Sequence, residues 1–260
     1  MLAIDKFCYT SKLRYVNASE KFALSIVTLL ICIAAQSFVI SAAVMAVMGV
    51  LTVRKGGLPF ARYRKMMFWP LGFLILSTLA IVVNLSRTPL DLFAFPVGGW
   101  YLTGSAAGAL RAGRLIVTAL SGVSCLYFLS LSTPMTDILT VLGRCRCPKL
   151  IIELMLLIYR FIFVLLDIAS AMTTAQNARL GNKDFRTAYH SFGQMASALL
   201  VRALKKSNAL YDAMEARCYD GTIRVLKEDY PPKLGEIAAI VVFELILLIL
   251  FAGRLTGWVM

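Results

Sequence analysis

Histidine is almost missing from this chain. His190 stands alone among 260 residues, which excludes a His-rich metal site and leaves little for acid–base catalysis near neutral pH. The six cysteines form no CxxC pair, so neither a disulfide framework nor a zinc site is indicated. No GxxxxGKS/T run occurs, so nucleotide phosphates cannot be cradled in the P-loop manner. Charge is scarce too: 16% of residues carry it, against roughly 25% in a soluble domain. Acids are the scarcer sign, 14 Asp+Glu against 27 Lys+Arg, for a formal net charge of +13. No cleavable signal peptide is expected, because apolar sequence begins only near Phe22 and then returns repeatedly.

What the chain has instead is apolar length. Hydrophobic residues make up 59% and the mean hydropathy is +0.77, a composition that needs lipid, or a very large partner, to cover it. An all-α integral membrane protein is predicted. In a soluble protein the excess of basic residues would point to nucleic acid. In a membrane protein it sets orientation through the short loops, and no nucleic-acid partner is expected.

Residues 1–21 are polar and hold Lys6, Lys12, Arg14 and Lys21, with Asn17 or Ser19 as helix cap and Glu20 in the first turn. The apolar run Phe22–Val53 is too long for one crossing of about 20 residues. Gln36-Ser37 near its middle predicts a hairpin of two short spans. Arg54, Lys55, Arg62, Arg64 and Lys65 then cluster around the breakers Gly56-Gly57 and Pro59. The next span is Met66–Val83.

Residues 84–112 read as a loop rich in Gly, Pro and aromatics. Only Arg87, Asp91 and Arg111 are charged there, and Phe93, Phe95, Trp100 and Tyr101 suit a membrane interface. Thr103 is the expected N-cap of a helix whose span covers about Arg114–Ser130, closed by Thr133-Pro134. With two crossings in 22–53, the basic N-terminus and the basic 54–65 segment share one face and the poorly charged 84–112 loop lies opposite. That arrangement obeys the positive-inside rule with a cytoplasmic N-terminus, in the cell (inner) membrane.

More than half of all charged residues fall in 133–236. The apolar run Leu150–Leu166 is read as non-spanning. Crossing there would put Arg144, Arg146 and Lys149 on the face opposite Arg202, Lys205 and Lys206. Glu153, Arg160 and Asp167 also recur every seven residues as a charged stripe, which suits a helix lying at the membrane surface. From Lys149 to Leu180 no Gly or Pro intervenes, predicting a helix roughly 48 Å long. A second helix is expected over about Ser191–Arg217, with Phe192, Ala196, Leu199 and Ala203 on one face. Tyr230-Pro231-Pro232 is a linker, and Ile237–Phe251 is the last span. The domains are therefore a cytoplasmic N-terminus (1–21), four transmembrane helices with an extracytoplasmic loop (22–132), a cytoplasmic helical domain (133–236) and a C-terminal transmembrane helix (237–260).

No catalytic, cofactor or metal site assembles from these residues. Asp212 and Glu215, one helical turn apart, could suit a divalent ion but read as a solvated helix face. Cys145 and Cys147 read as structural thiols. Cys32 and Cys125 fall inside apolar runs and read as small hydrophobes. The spans hold few polar groups, and Glu244 is read as a buried hydrogen-bonding residue to a neighbouring helix. A stand-alone permease or channel is the alternative function, although such proteins keep charged or ligating groups at membrane depth. A membrane-embedded lipid enzyme would need clustered acids or a nucleophile–base pair.

One feature is repeated. Ala178-Arg179-Leu180-Gly181 and Ala216-Arg217-Cys218 each stand at the predicted end of a long helix, with Gly181 and Gly221 as expected stops. Arg in a last turn also suits the helix dipole, so one such end is ordinary capping and two are not. In this pattern the chain resembles the transmembrane scaffold (T) component of energy-coupling factor transporters. Its signature is two Ala-Arg-Gly motifs at the ends of crossed cytoplasmic coupling helices. The stretch Asp5–Lys21, Ser132-Thr133-Pro134, Pro148, Tyr159-Arg160-Phe161 and the Asp212–Arg217 segment also look like that family, most like its cobalt branch, the CbiQ type.

The resemblance implies a scaffold joining a pair of cytoplasmic ABC-type ATPases to a substrate-binding membrane S component of the cobalt/nickel type. Arg179 and Arg217 would contact the ATPases, flanked by Ala178 and Ala216. Leu180 and Cys218 depart from the family's glycine. A guanidinium at a helix tip offers a planar fork for a carboxylate or carbonyls, and alanine before it leaves room for a groove wall.

Overall fold

A computed structural model describes residues 3–86, 93–97, 100–104, 106–221, 223 and 230–255. The chain divides into two compact units, one of Leu139–Lys227 and one of Leu2–Ile138 with Glu228–Met260. Its helices are α1 (Ala3–Thr10), α2 (Ala18–Ala35), α3 (Phe38–Val50), α4 (Phe60–Val82), α5 (Ala106–Ser132), α6 (Met135–Arg144), α7 (Lys149–Ala178), α8 (Phe185–Glu215) and α9 (Leu234–Leu255). Among the described residues, five helical stretches are long and apolar enough to cross a bilayer: Ala18–Ala35, Phe38–Lys55, Phe60–Val82, Gly108–Ser132 and Leu234–Arg254. The protein is an all-α integral membrane protein in its spans, and α7 is not among them.

The helix ends in the larger unit follow from local chemistry. Asn17 Oδ1 accepts from the Ser19 N–H at 2.9 Å and starts α2. Gln36 adopts a left-handed conformation (φ 42°) that ends α2, and Ser37 precedes α3. The predicted hairpin turn is where the sequence puts it. A π-helical turn, Leu51–Lys55, extends α3. Gly56 closes it with an N–H bond to the Leu51 carbonyl at 2.9 Å, and a Cβ there would lie 2.4 Å from the Thr52 carbonyl oxygen. Only glycine fits that position.

Pro70 sits inside α4 and has no N–H to give the Met66 carbonyl one turn back. The Tyr127 hydroxyl of α5 donates to Met66 O at 3.3 Å instead, the kind of substitution that lets a spanning helix tolerate proline.

Between α4 and α5 three short strands, Val83–Ser86 (β1), Phe93–Val97 (β2) and Trp100–Gly104 (β3), pair antiparallel in the order β1-β3-β2. This corrects the expectation of a plain loop. Thr103 is not a helix cap: it lies in β3, opposite Asn84 and Ala94. Arg87, Asp91 and residues 256–260 lie outside the described residues.

The bundle core holds Leu24, Ile31, Ile40, Val44, Met48, Phe128 and Leu247. Small hydroxyls and a thiol let α2, α3 and α5 approach one another. Cys32 Sγ lies 2.7 Å from Ser121 Oγ and 3.3 Å from Ser41 Oγ, and Ser41 lies 3.1 Å from Thr118. Ser25 donates to the Cys125 carbonyl at 2.8 Å. Cys32 is thus a hydrogen-bonding partner rather than only a small hydrophobe. Interhelical bonds of this kind average about 0.6 kcal/mol in membrane proteins, so packing and bonding share the work. Thr28 Oγ1 donates to Glu244 Oε1 at 2.7 Å, joining α2 to α9 as expected for Glu244. Lys21, 2% exposed, donates to the Leu13 and Ser132 carbonyls, each at 3.0 Å. It thereby caps the C-terminal end of α5.

Candidate functional site

The repeated Ala-Arg segments both lie in the Leu139–Lys227 unit, at the ends of α7 and α8. α7 runs unbroken because no glycine or proline falls within it. It ends at Ala178, with Arg179 as the C-cap residue at φ −100° and ψ 16°. Leu180 then turns left-handed at φ 58°. The Gly181 N–H reaches Gln176 O at 2.8 Å and the Leu180 N–H reaches Asn177 O at 3.1 Å. Those two bonds make a Schellman cap.

The end of α8 repeats it. The Tyr219 N–H reaches Met214 O at 3.1 Å, the Cys218 N–H reaches Glu215 O at 2.9 Å, and Cys218 is left-handed at φ 56°. α7 ends on Ala178 and α8 on Glu215, with Ala216 as its cap residue, but in both segments arginine follows alanine and the third residue takes the left-handed position. Leu180 and Cys218 therefore make the stops themselves. The expected stop at Gly181 is corrected, since no positive φ occurs there, and Gly221 (φ 83°) lies beyond the finished cap. A glycine at the third position would take this conformation without the Cβ penalty of roughly 1–2 kcal/mol.

Gly181 has a different task. A Cβ there would lie 3.0 Å from Gln176 O and 3.1 Å from Ser191 Oγ. Ser191 Oγ donates to Gly181 O at 2.7 Å, and Gln176 Nε2 donates to Ser191 O at 2.8 Å. The α7 end is thereby clamped to the second turn of α8. α8 itself starts at Phe185, ahead of the predicted Ser191, with Asp184 before it.

Contacts along the two helices run in opposite senses. Gln176 meets Ser191, Thr173 meets Met195 at 3.4 Å, and Glu153 meets Tyr219. Between them a cleft of about 290 Å³ is lined by Arg160, Val164, Lys206, Leu210 and Ala213. α7 and α8 form an antiparallel hairpin, and Arg179 and Arg217 stand at its opposite ends. From the Ser191 level to Arg217 the helical rise of 1.5 Å per residue gives a separation of about 40 Å. Both arginines and both third residues are exposed.

The faces differ from expectation. Phe192, grouped with Ala196, Leu199 and Ala203 on one face of α8, is 62% exposed, while Ser191, Met195, Leu210 and Ala213 face α7. The charged stripe of α7 turns partly inward, since Glu153 accepts from the Tyr219 hydroxyl at 2.7 Å and from the Ile223 N–H at 3.2 Å. That hydrogen bond pushes the Tyr219 phenol above its ordinary value. Sequence reading missed Glu153 as the anchor of the second end, because nothing local links it to a tyrosine on another helix. No residue of α7 is buried, although Leu150, Leu154, Ile158, Ile162 and Leu166 repeat at helical spacing and are exposed. Among the described residues no group of His, Cys, Asp and Glu could hold a metal ion.

Residues 10–228 match the family model of CbiQ, cobalt transport protein. That span contains both helix ends. The chain belongs to the CbiQ family. An uncharacterised protein of Methanocaldococcus jannaschii is 33% identical over 251 residues, 95% of this chain and 91% of that protein. The cobalt transport protein CbiQ of Salmonella typhimurium is 26% identical over 85% of this chain and 98% of its own length. CbiQ of Rhodobacter capsulatus is 35% identical over 60% of this chain and 59% of its own. The chain is a multi-pass membrane protein of a transport family.

Proposed function

We propose that this CbiQ-family chain is the transmembrane scaffold of an ATP-driven importer of the energy-coupling factor type, with cobalt ion as cargo. Arg179 and Arg217 each enter a groove of one member of a pair of ABC-type ATPases, flanked by Ala178 and Ala216. Movement of the ATPases is passed through the hairpin to a substrate-binding membrane component. The hairpin and the N-terminus lie in the cytoplasm, which accounts for the basic residues of the N-terminus and of the 54–65 segment under the positive-inside rule. The observation that carries this reading is the pair of matching exposed helix ends, each presenting one arginine, held about 40 Å apart by continuous helix.

Three further facts support it. The exposed apolar repeat on α7 needs a covering surface. The name of a Methanocorpusculum labreanum relative, putative fused cobalt transport protein CbiMQ, describes a longer chain of which the matched part is 28%. The cargo follows the printed names of the Salmonella and Rhodobacter relatives.

The test is a double charge reversal, R179E/R217E, in cells expressing the whole transporter. ATPases should no longer co-purify and cobalt uptake should fall to background, with membrane insertion unchanged. Unchanged co-purification and uptake would sink the proposal.

A further inference from the structure

Away from the helix ends, the larger unit contains a cavity of about 480 Å³ where α2 and α9 begin and the π-helical turn ends α3. This volume falls in the range of small-molecule sites, about 300–1,000 Å³. Its floor is apolar, from Leu24, Val47, Phe128, Ile240 and Phe243. Its mouth carries both signs of charge: Lys12, Arg54 and Lys55, and the carboxylates Glu20 and Glu236.

Two local departures from regular structure shape it. The π-helical turn delivers Leu51, Arg54 and Lys55 to the lining, and such turns inside helices gather at functional sites. Glu20 stands three residues after the Asn17 cap, the position from which an acid normally reaches back to the cap N–H. It does not. Both of its carboxylate oxygens are buried with no hydrogen-bond partner, and Glu236 lies close enough to act on it electrostatically. A buried carboxylate without donors is costly. The neighbouring Lys21 does not reach it: its ammonium donates to the Leu13 and Ser132 carbonyls instead.

We propose that this cavity holds one bilayer phospholipid with a primary ammonium head, as in phosphatidylethanolamine. An acyl chain fills the apolar floor, the phosphate lies against Lys12, Arg54 and Lys55, and the ammonium donates to Glu20 and Glu236. The charge pattern selects this occupant. A phosphoglycerol head satisfies the basic side and leaves the carboxylates bare. A phosphocholine head has no N–H to give them.

The test uses the full chain in mild detergent, titrated with phosphatidylethanolamine, phosphatidylglycerol or phosphatidylcholine of matched acyl chains and read by native mass spectrometry. One phosphatidylethanolamine should be retained with about tenfold preference over either other lipid, the size of a charged hydrogen bond. In E20Q/E236Q that preference should drop to parity with phosphatidylglycerol while binding persists. In R54A/K55A all three lipids should be lost alike. If the double carboxamide variant does not fold, E236Q alone serves, with the preference at least halved. Preference for phosphatidylglycerol in the unmodified chain, an unchanged preference in the carboxamide variants, or retention in R54A/K55A would each overturn the proposal.

Discussion

The two ends of the helical hairpin are built to one backbone plan and held by different means. At the first, Leu180 sits in the left-handed position, and the turn is clamped from inside by Gly181, Ser191 and Gln176. At the second, Cys218 holds the same position, but the segment beyond it is tied from outside, by Tyr219 and Ile223 reaching Glu153 across the hairpin. The shared part is the placement of an arginine immediately before the left-handed residue. The unshared part is what keeps it there. The difference teaches that the cap geometry, rather than any one supporting contact, is the common element.

Separating the two arginines should give the largest effect. Under the proposed function R179E alone and R217E alone each remove one ATPase anchor, and each should cut cobalt uptake at least tenfold. ATPase co-purification should weaken rather than vanish. Uptake retained in either single variant would show that the ends are not equivalent.

Next comes Gly181→Ala. Its Cβ must push aside a backbone carbonyl and the Ser191 hydroxyl, an overpacking cost of about 1–3 kcal/mol confined to the first end. Hydrogen exchange should accelerate at Leu180 and Gly181 and stay unchanged at Cys218 and Tyr219. Equal acceleration at both ends would mean the clamp is not local.

The third change sharpens the likeness. Leu180→Gly and Cys218→Gly each relieve a side chain from the left-handed region, worth roughly 1 kcal/mol. Exchange of the Gly181 and Tyr219 amides should slow by about fivefold, the factor that 1 kcal/mol sets. Faster exchange in either variant would contradict the cap geometry.

Glu153→Ala gives the smallest effect, at the second end alone. Tyr219 is exposed, so the readout is its titration. The contact is present while the phenol is protonated and is lost as pH rises beyond the ordinary phenol range. Without Glu153 the phenol should titrate lower, near its ordinary value. An unchanged titration would show that the tie does not exist in solution.

Much of this was legible in the sequence because lipid imposes a simple grammar. Apolar runs of sufficient length gave the five spans, Gln36-Ser37 marked the first turn, and Glu244, the lone acid within Ile237–Phe251, pointed to a partner across the bundle. The two Ala-Arg segments stood out because they repeat. What stayed hidden depends on backbone conformation rather than composition. A left-handed leucine or cysteine looks like any other, so the stops were assigned to the nearby glycines. The π-helical turn at Leu51–Lys55 has no compositional mark. The strands at 83–104 were concealed by the glycines and prolines that usually signal a loop. The early start of α8 was missed because Phe185-Arg186-Thr187 carries no cap or apolar period of its own.

The antiparallel run of α7 and α8 has a mechanical consequence. Hydrogen-bonded helix does not shorten, so under the proposed function partners that grip both ends could not draw them together. Any motion they share must appear as a change of angle. A sideways shift of about 5 Å at one end of a strut about 40 Å long turns it by about 7°. The apolar row on α7, from Leu150 to Leu166, would swing with it, and whatever covers that row would feel a rotation instead of a push.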